Sequence, residues 1–342
     1  MGCRRSETSI DTFYSHTILD IKNGITVGGL GKRSALILEE EETMTVPTRP
    51  RARAMTLDRA APVLMLLPIL LVLAALTLYP FLANVWYAVH AKDLTQPLNT
   101  GFTGARNITA VVTKAAFLHS LTVTGIFVVV SLAIELVVGF LVALALWKPI
   151  GGSRLYTTIL ILPFGLTPVA LALAWRLIFN PAGGPLNLLL GYFGLPPLDW
   201  TASPQLALPS LIIVDIWQWT PFVTLILLAG LVALPKEPFE AASMEGAGYW
   251  SSVWHVALPM LRPLLLVVVL FRGIDLFRTF DTFWVITGGG PGNATETLNM
   301  LLYRLAFQNL NFGQASALAL TMLVLIIVLT QPFMKHLVGR RS

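Results

Sequence analysis

Apolar residues do not alternate with polar ones along this chain; they come in long blocks. A helix needs about 20 apolar residues to cross ~30 Å of hydrocarbon. Six blocks reach that length, at about 61–87, 120–147, 156–179, 206–232, 262–286 and 315–334. The first is too long for the core of a cleaved signal peptide and predicts an uncleaved span. The third contains Pro163 and Pro168, and the fifth is the most polar. The pattern predicts an all-α, polytopic membrane protein with six transmembrane helices. It also divides the chain into a mostly disordered cytoplasmic tail over 1–60 and a six-helix domain over 61–342.

Composition supports the same class. Of 342 residues, 55% are hydrophobic and 12% charged, with a mean hydropathy of +0.73. Soluble domains average about 25% charged residues. A net charge of +5 would suggest nucleic acid in a soluble protein, but the placement of Lys and Arg accounts for it here, and no nucleic-acid partner is expected. The single Cys3 excludes intrachain disulfides and a cysteine metal cluster, and no metal site is expected.

The tail holds EEEET at 39–43 and RPRARAM at 49–55. MGCRRS fits an N-myristoylation pattern through Gly2 and Ser6, a short and common match. TVGGLGKRS at 26–34 evokes a phosphate loop but fails: Thr26 stands where the first Gly belongs, and Arg33 where Ser or Thr binds the metal. No nucleotide or other cofactor site is therefore expected in this chain. Met44 and Met55 are each reasonable alternative starts, so residues 1–43 are not assigned to the native protein.

Lys and Arg in short connections set orientation. With the N-terminus inside, eleven fall on the inner side: Arg49, Arg51, Arg53, Arg59, Lys148, Arg154, Lys236, Arg262, Lys335, Arg340 and Arg341. Four fall outside: Lys92, Arg106, Lys114 and Arg304. Both termini are expected in the cytoplasm, and so is the connection 234–261. Within it, Pro238 suits a first helical turn and Glu240 complements a helix N-terminus. Gly246 and Gly248 permit positive φ or close backbone approach. YWSSVWHVAL at 249–258 offers a second short helix ending before Pro259. Two readings are open on physics alone: a docking surface, or an amphipathic connector on the lipid headgroups.

Spacing separates them. Glu240-Ala241-Ala242, then Gly246, Val256 and Leu258-Pro259 resembles the EAA motif of permease subunits of ABC importers. Relatives that carry sugars usually have Asp before the Gly; here Glu245 keeps the charge on a longer side chain. The resemblance extends over about 61–334. FTGARN at 102–107, FLHSLTVT at 117–124, IELVVGFLVALAL at 134–146, PLNLLLGYFG at 185–194, IWQWTPFVTLILLAGLVALP at 216–235, FDTFWVITGGGP at 280–291 and LAFQNLNFGQASAL at 305–318 are similar, in order, to carbohydrate permeases of the maltose-transporter type. This resemblance implies the type I ABC importer permease fold, forming half of a translocation pore. It implies a sister permease in a heterodimer, ATP-binding subunits holding ATP and Mg and docking on 240–259, and an extracellular solute-binding protein. It further implies a multi-pass protein of the bacterial inner membrane, and a family whose solutes range from sugars and polyols to glycerol phosphates. The residues implied in ATPase coupling are Glu240, Ala241, Ala242, Glu245, Gly246, Leu258 and Pro259. Gly288-Gly289-Gly290-Pro291 is an outer turn where the resemblance implies contact with the binding protein.

Ionisable groups at membrane depth cost about 2.5–3.5 kcal/mol and need a partner or a wet cavity. The fifth block holds Arg272, Asp275, Arg278 and Asp281, each three apart. Neighbours pair at that spacing, yet the row drifts about 60° per step, so all four cannot face one cavity. One expectation is a self-neutralising ladder; the other is that Asp275, with Arg272 or Arg278, faces the path and bonds sugar hydroxyls. Glu135, Arg176 and Asp215 lie in the second to fourth blocks, where each can hold helices together. Trp217, Trp219 and Phe222 form an aromatic patch that suits ordinary packing better than sugar faces. Pro163, Gly165 and Pro168 mark either a substrate path or repaired kinks.

The function expected is thus a permease for sugar import, with no catalytic residues and ATP hydrolysis on a separate subunit. The alternative is an ion-coupled secondary transporter using intramembrane carboxylates such as Asp275. A membrane enzyme ranks last, since no HExxH, cysteine cluster or paired catalytic acids appear.

Overall fold

A computed structural model describes residues 54–147 and 158–338, with side chains over 65–147 and 158–335. The myristoylation pattern, the glycine run at 26–34, the acidic run, Met44 and the cations Lys148, Arg154, Arg340 and Arg341 lie outside these residues. Two units are distinguished, residues 1–72 and 73–342. The described part of the first is helical from Ala54. Residues 54–60, expected in the disordered tail, are therefore helix; Ala, Met, Leu and Arg favour it and run directly into the apolar block. That helix, α1, is Ala54–Ala88.

In the second unit, α2 (Arg106–Val112) and α3 (Ala115–Trp147) follow the loop after α1. Next come α4 (Pro168–Ile178), α5 (Pro185–Tyr192) and α6 (Ala207–Val232). The connection after α6 holds α7 (Glu237–Met244) and α8 (Tyr249–Ser252). A π-turn, Val253–Ala257, runs into α9 (Leu258–Arg278). Then come α10 (Asp281–Ile286), α11 (Leu298–Tyr303), a second π-turn (Arg304–Gln308) and α12 (Phe312–Val338). Among the described residues no strand forms; isolated bridges pair His90 with Phe102 and Asp93 with Asn311.

Among the described residues, five helical stretches are long and apolar enough to cross a membrane. The third expected span is the exception. Residues 158–161 are helical, residues 162–167 turn, and α4 restarts at Pro168. At 11 residues α4 rises only ~16 Å, about half the hydrocarbon thickness. Pro163 and Pro168 explain the break, since proline donates no amide and clashes with the preceding turn.

The helices are patterned in reverse of a soluble bundle. On α3 the buried face runs Ser120, Thr124, Phe127, Ser131, Glu135, Gly139 and Ala143, at spacings of three and four. The outward face carries Val129, Val130, Ile134, Val137, Val138 and Leu141. Polar groups turned inward and aliphatic ones outward are what lipid as solvent selects. α3 packs along α6 as the most extensive helix pair. Gly139 permits that approach: a Cβ there would lie 2.8 Å from Val223 Cγ1. Gly230 does the same for α6 against α9, where a Cβ would meet Leu264 at 2.3 Å. Small residues at crossings are the membrane substitute for a hydrophobic driving force.

Of the three apolar cores among the described residues, two follow one another along α3, α6 and α9. One gathers Phe127, Leu171, Phe179, Leu211, Leu276 and Phe283. The other gathers Ala143, Leu144, Val223, Leu227, Val253 and Leu261. Glu135, Asp215 and Arg272 fall between them in sequence on all three helices. Leu94 donates to Leu310 O at 3.0 Å and Gly313 to Lys92 O at 3.0 Å, tying the loop after α1 to the start of α12.

Candidate functional site

The first candidate is the buried charge network. Arg272 on α9 donates from Nε to Glu135 Oε2 at 2.8 Å and from Nη2 to Oε1 at 2.7 Å. This is the two-pronged geometry a guanidinium makes best. The same Nη2 reaches Asp215 Oδ2 on α6 at 2.6 Å, and Nη1 donates to Asp275 on its own helix. One face of the guanidinium lies over Trp219, 4.4 Å from the ring centroid. Arg272 thus joins three helices, α3, α6 and α9. Its own side chain is 1% exposed, Glu135 0% and Asp215 5%, whereas that of Asp275 is 47% exposed.

The expected ladder on the fifth span does not neutralise itself. Only Arg272 and Asp275 of the row are paired; Arg272 finds its main partners across the bundle. Arg278 ends α9 exposed, and Asp281 lies beyond a break at Thr279–Phe280, at the exposed start of α10. The helix stops there because Thr279 takes ψ 126°, and Asn299 donates to the carbonyl of Phe277 at 3.0 Å. Glu135 and Asp215 hold helices together, as expected of them, but they do so through one shared cation. Their signal in sequence was three ionisable residues of mixed sign in three separate apolar blocks. Arg176 instead donates to Val285 O at 3.3 Å, fastening α4 to α10.

The aromatic patch divides. Trp219 caps Arg272 and packs with Phe164 at 5.3 Å, which in turn stacks with Phe222 at 5.6 Å. Trp217 meets Trp175 edge-on at 5.6 Å and remains 42% exposed. Phe164, from the broken third segment, therefore seals the network's aromatic side, a role legible only in three dimensions.

The second candidate is the helical pair at 237–257. Glu237 and Glu240 occupy the first turn of α7, where acidic groups favour the helix dipole. Gly246 takes φ +81°, its amide bonding Ser243 O at 3.0 Å while Ala247 bonds Ala242 O at 2.9 Å. This left-handed cap satisfies the terminal carbonyls and turns the chain, a conformation that favours glycine. Phe239 and Ala242 face the bundle, Phe239 edge-on to Trp147 at 5.4 Å. Glu240, Ala241, Met244, Glu245 and Gly246 face outward, with Met244 88% exposed. Leu258 and Pro259 are half-buried at the start of α9. The result is a knob: one side seated on the ends of α3 and α6, the other open.

The sequence belongs to a known family. This chain is a member of the binding-protein-dependent transport system inner membrane components, whose family model matches residues 135–342. It is 35% identical over 278 residues to the trehalose/maltose transport system permease protein MalF of Thermococcus litoralis, covering 81% of this chain and 92% of that protein. Its fold is similar to a chain of a bacterial ABC transporter involved in import of the acidic polysaccharide alginate, at TM-score 0.72 and 20% identity, covering 84% and 98% of the two chains. A structure of a bacterial alginate transporter in complex with an alginate pentasaccharide-bound periplasmic protein gives TM-score 0.70 at 18% identity, covering 82% and 94%. The chain is therefore a multi-pass inner-membrane permease component of an ABC importer, and not an ion-coupled secondary transporter.

Proposed function

We propose that this chain is one half of the pore of a sugar importer, paired with a second permease. ATP-binding subunits, which carry all ATP and Mg, dock on the outward side of α7 at Glu240, Ala241, Glu245 and Gly246, while Ala242 helps seat the helix on the bundle. A solute-binding protein delivers sugar at the opposite face, and both termini lie in the cytoplasm. Closure of the ATPases pushes α7. The push passes through α8, the π-turn and Leu258-Pro259 into α9, which carries Arg272 and Asp275. Such a motion needs no catalytic group, only rigid helices with a defined hinge.

The observation that carries the reading is the seating of α7, rooted by Phe239 against Trp147 with its Gly246 cap open. The exposed stripe of α9 supports the pore half of it. Phe271, Asp275 and Arg278 recur at four and three residues and are open in the isolated chain. Charge on such a stripe cannot face lipid cheaply, so it faces water or a second subunit. Asp275 and Trp217 are assigned to the path. The test is reconstitution with partner subunits: loaded binding protein should stimulate ATP hydrolysis and uptake together. Uptake that persists without any ATPase subunit defeats the proposal, as does labelling of a cysteine at Met244 from the outer side only.

A further inference from the structure

We infer that the path along this chain is selective for charge: it passes uncharged or amine-bearing polyhydroxy solutes and rejects anionic ones at Asp275. This rests on the importer reading and narrows its substrate class.

The reason is how Arg272 is spent. A guanidinium at membrane depth is the obvious recognition group for a phosphate, sulfonate or carboxylate on a solute. Here it is 1% exposed and bonded to Glu135, Asp215 and Asp275, with Trp219 on one face. Four of its five N–H donors are engaged, and a side chain 1% exposed keeps the fifth from a passing solute. What the network does present is an acceptor, the 47% exposed carboxylate of Asp275. Outside the buried trio, Asp275 stands with the exposed Arg278 and Asp281, one cation against two carboxylates. Sugar hydroxyls and ammonium groups donate to such a site; an anionic group meets like charge in a poorly screened region, a juxtaposition that discriminates by tenfold or more. The relatives span both chemistries, one permease of trehalose/maltose and one transporter of an acidic polysaccharide, so the family alone does not decide it.

The experiment uses the permease–ATPase complex in nanodiscs without binding protein. Saturation-transfer NMR titrations measure trehalose, glucosamine, glucuronate and glucose 6-phosphate. Wild type should bind trehalose and glucosamine at least ~10-fold more tightly than the two anions. Asp275→Asn should shrink that ratio below about threefold by admitting glucuronate, and Asp275→Glu should preserve it. Should Asp275→Asn fail to assemble, Phe271→Arg, on the same exposed stripe, should raise glucuronate binding. Equal binding of anionic and neutral probes by wild type, no saturable binding of trehalose, or discrimination unmoved by Asp275→Asn or Phe271→Arg would each overturn the inference. A wild-type complex that fails to couple ATP hydrolysis to loaded binding protein would instead defeat the importer reading. A coupled but charge-blind complex defeats the inference alone.

Discussion

Replacing Arg272 by Met should destabilise the assembled protein far more than replacing the whole buried trio. In Arg272→Met, Glu135 and Asp215 stay buried at 0% and 5% side-chain exposure but lose their common cation. Four hydrogen bonds to carboxylate oxygens disappear, three of them to the buried Glu135 and Asp215. Breaking a buried pair by removing one partner costs about 3–5 kcal/mol. That is a loss of roughly two to three and a half powers of ten in the folding equilibrium, at about 1.4 kcal/mol per decade. In the triple variant Glu135→Leu/Asp215→Leu/Arg272→Met the same volume is filled without charge, and replacing buried pairs by apolar groups is often neutral. The triple variant should therefore recover most of the loss, while transport stays impaired because Asp275 loses the partner that orients it. Thermal inactivation of the purified complex in nanodiscs measures stability, and uptake measures function. If Arg272→Met is as stable as wild type, or the triple variant is as unstable as the single one, the network does not hold the three helices together as argued.

Other outcomes follow from single contacts. Gly139→Val should cost about 1–3 kcal/mol by forcing α3 off α6, where even a Cβ would lie 2.8 Å from Val223; lowered melting of the complex checks it. At Gly246 nothing lies within 4 Å of a Cβ, so the cost is backbone alone. Gly246→Val, forced into φ +81°, should lose about 1–2 kcal/mol locally and uncouple ATPase from uptake, whereas Gly246→Asn, which tolerates that region, should remain coupled; paired ATPase and uptake rates decide. Outside the membrane, the Thr95 hydroxyl and amide hold the Asp93 carboxyl below its ordinary value of 3.8. A depressed folded-state value contributes stability above that ordinary value and loses it as pH falls through the lower one. The melting difference between wild type and Asp93→Asn should be constant near neutrality and close only below about pH 4, a window where an ordinary carboxylate titrates.

The blocks of hydrophobic residues told most of the fold, because lipid imposes one solution on them: every backbone group must be satisfied inside a helix. They misjudged two places for physical reasons. The third block has apolar composition enough to span, but Pro163 and Pro168 remove the amides a continuous helix requires, and composition does not weigh donors. The start of α1 runs back to Ala54 because its residues are good helix formers, whatever their charge. The helix–turn–helix at 237–257 was legible as local structure, since Gly246 answers a backbone demand at the end of α7. The network was legible only as ingredients. Sequence placed Arg272 three residues from Asp275 and so suggested a ladder, yet a residue three along shares only part of a face, while Glu135, 137 residues away, offers two oxygens in one plane. Geometry across the bundle wins over proximity along it, because a bidentate pair satisfies more donors of one guanidinium than any helical neighbour can. That same preference is what turns Asp275 outward: with Glu135 and Asp215 taking the buried donors, the third carboxylate is left at the edge, bonded to Arg272 yet 47% exposed.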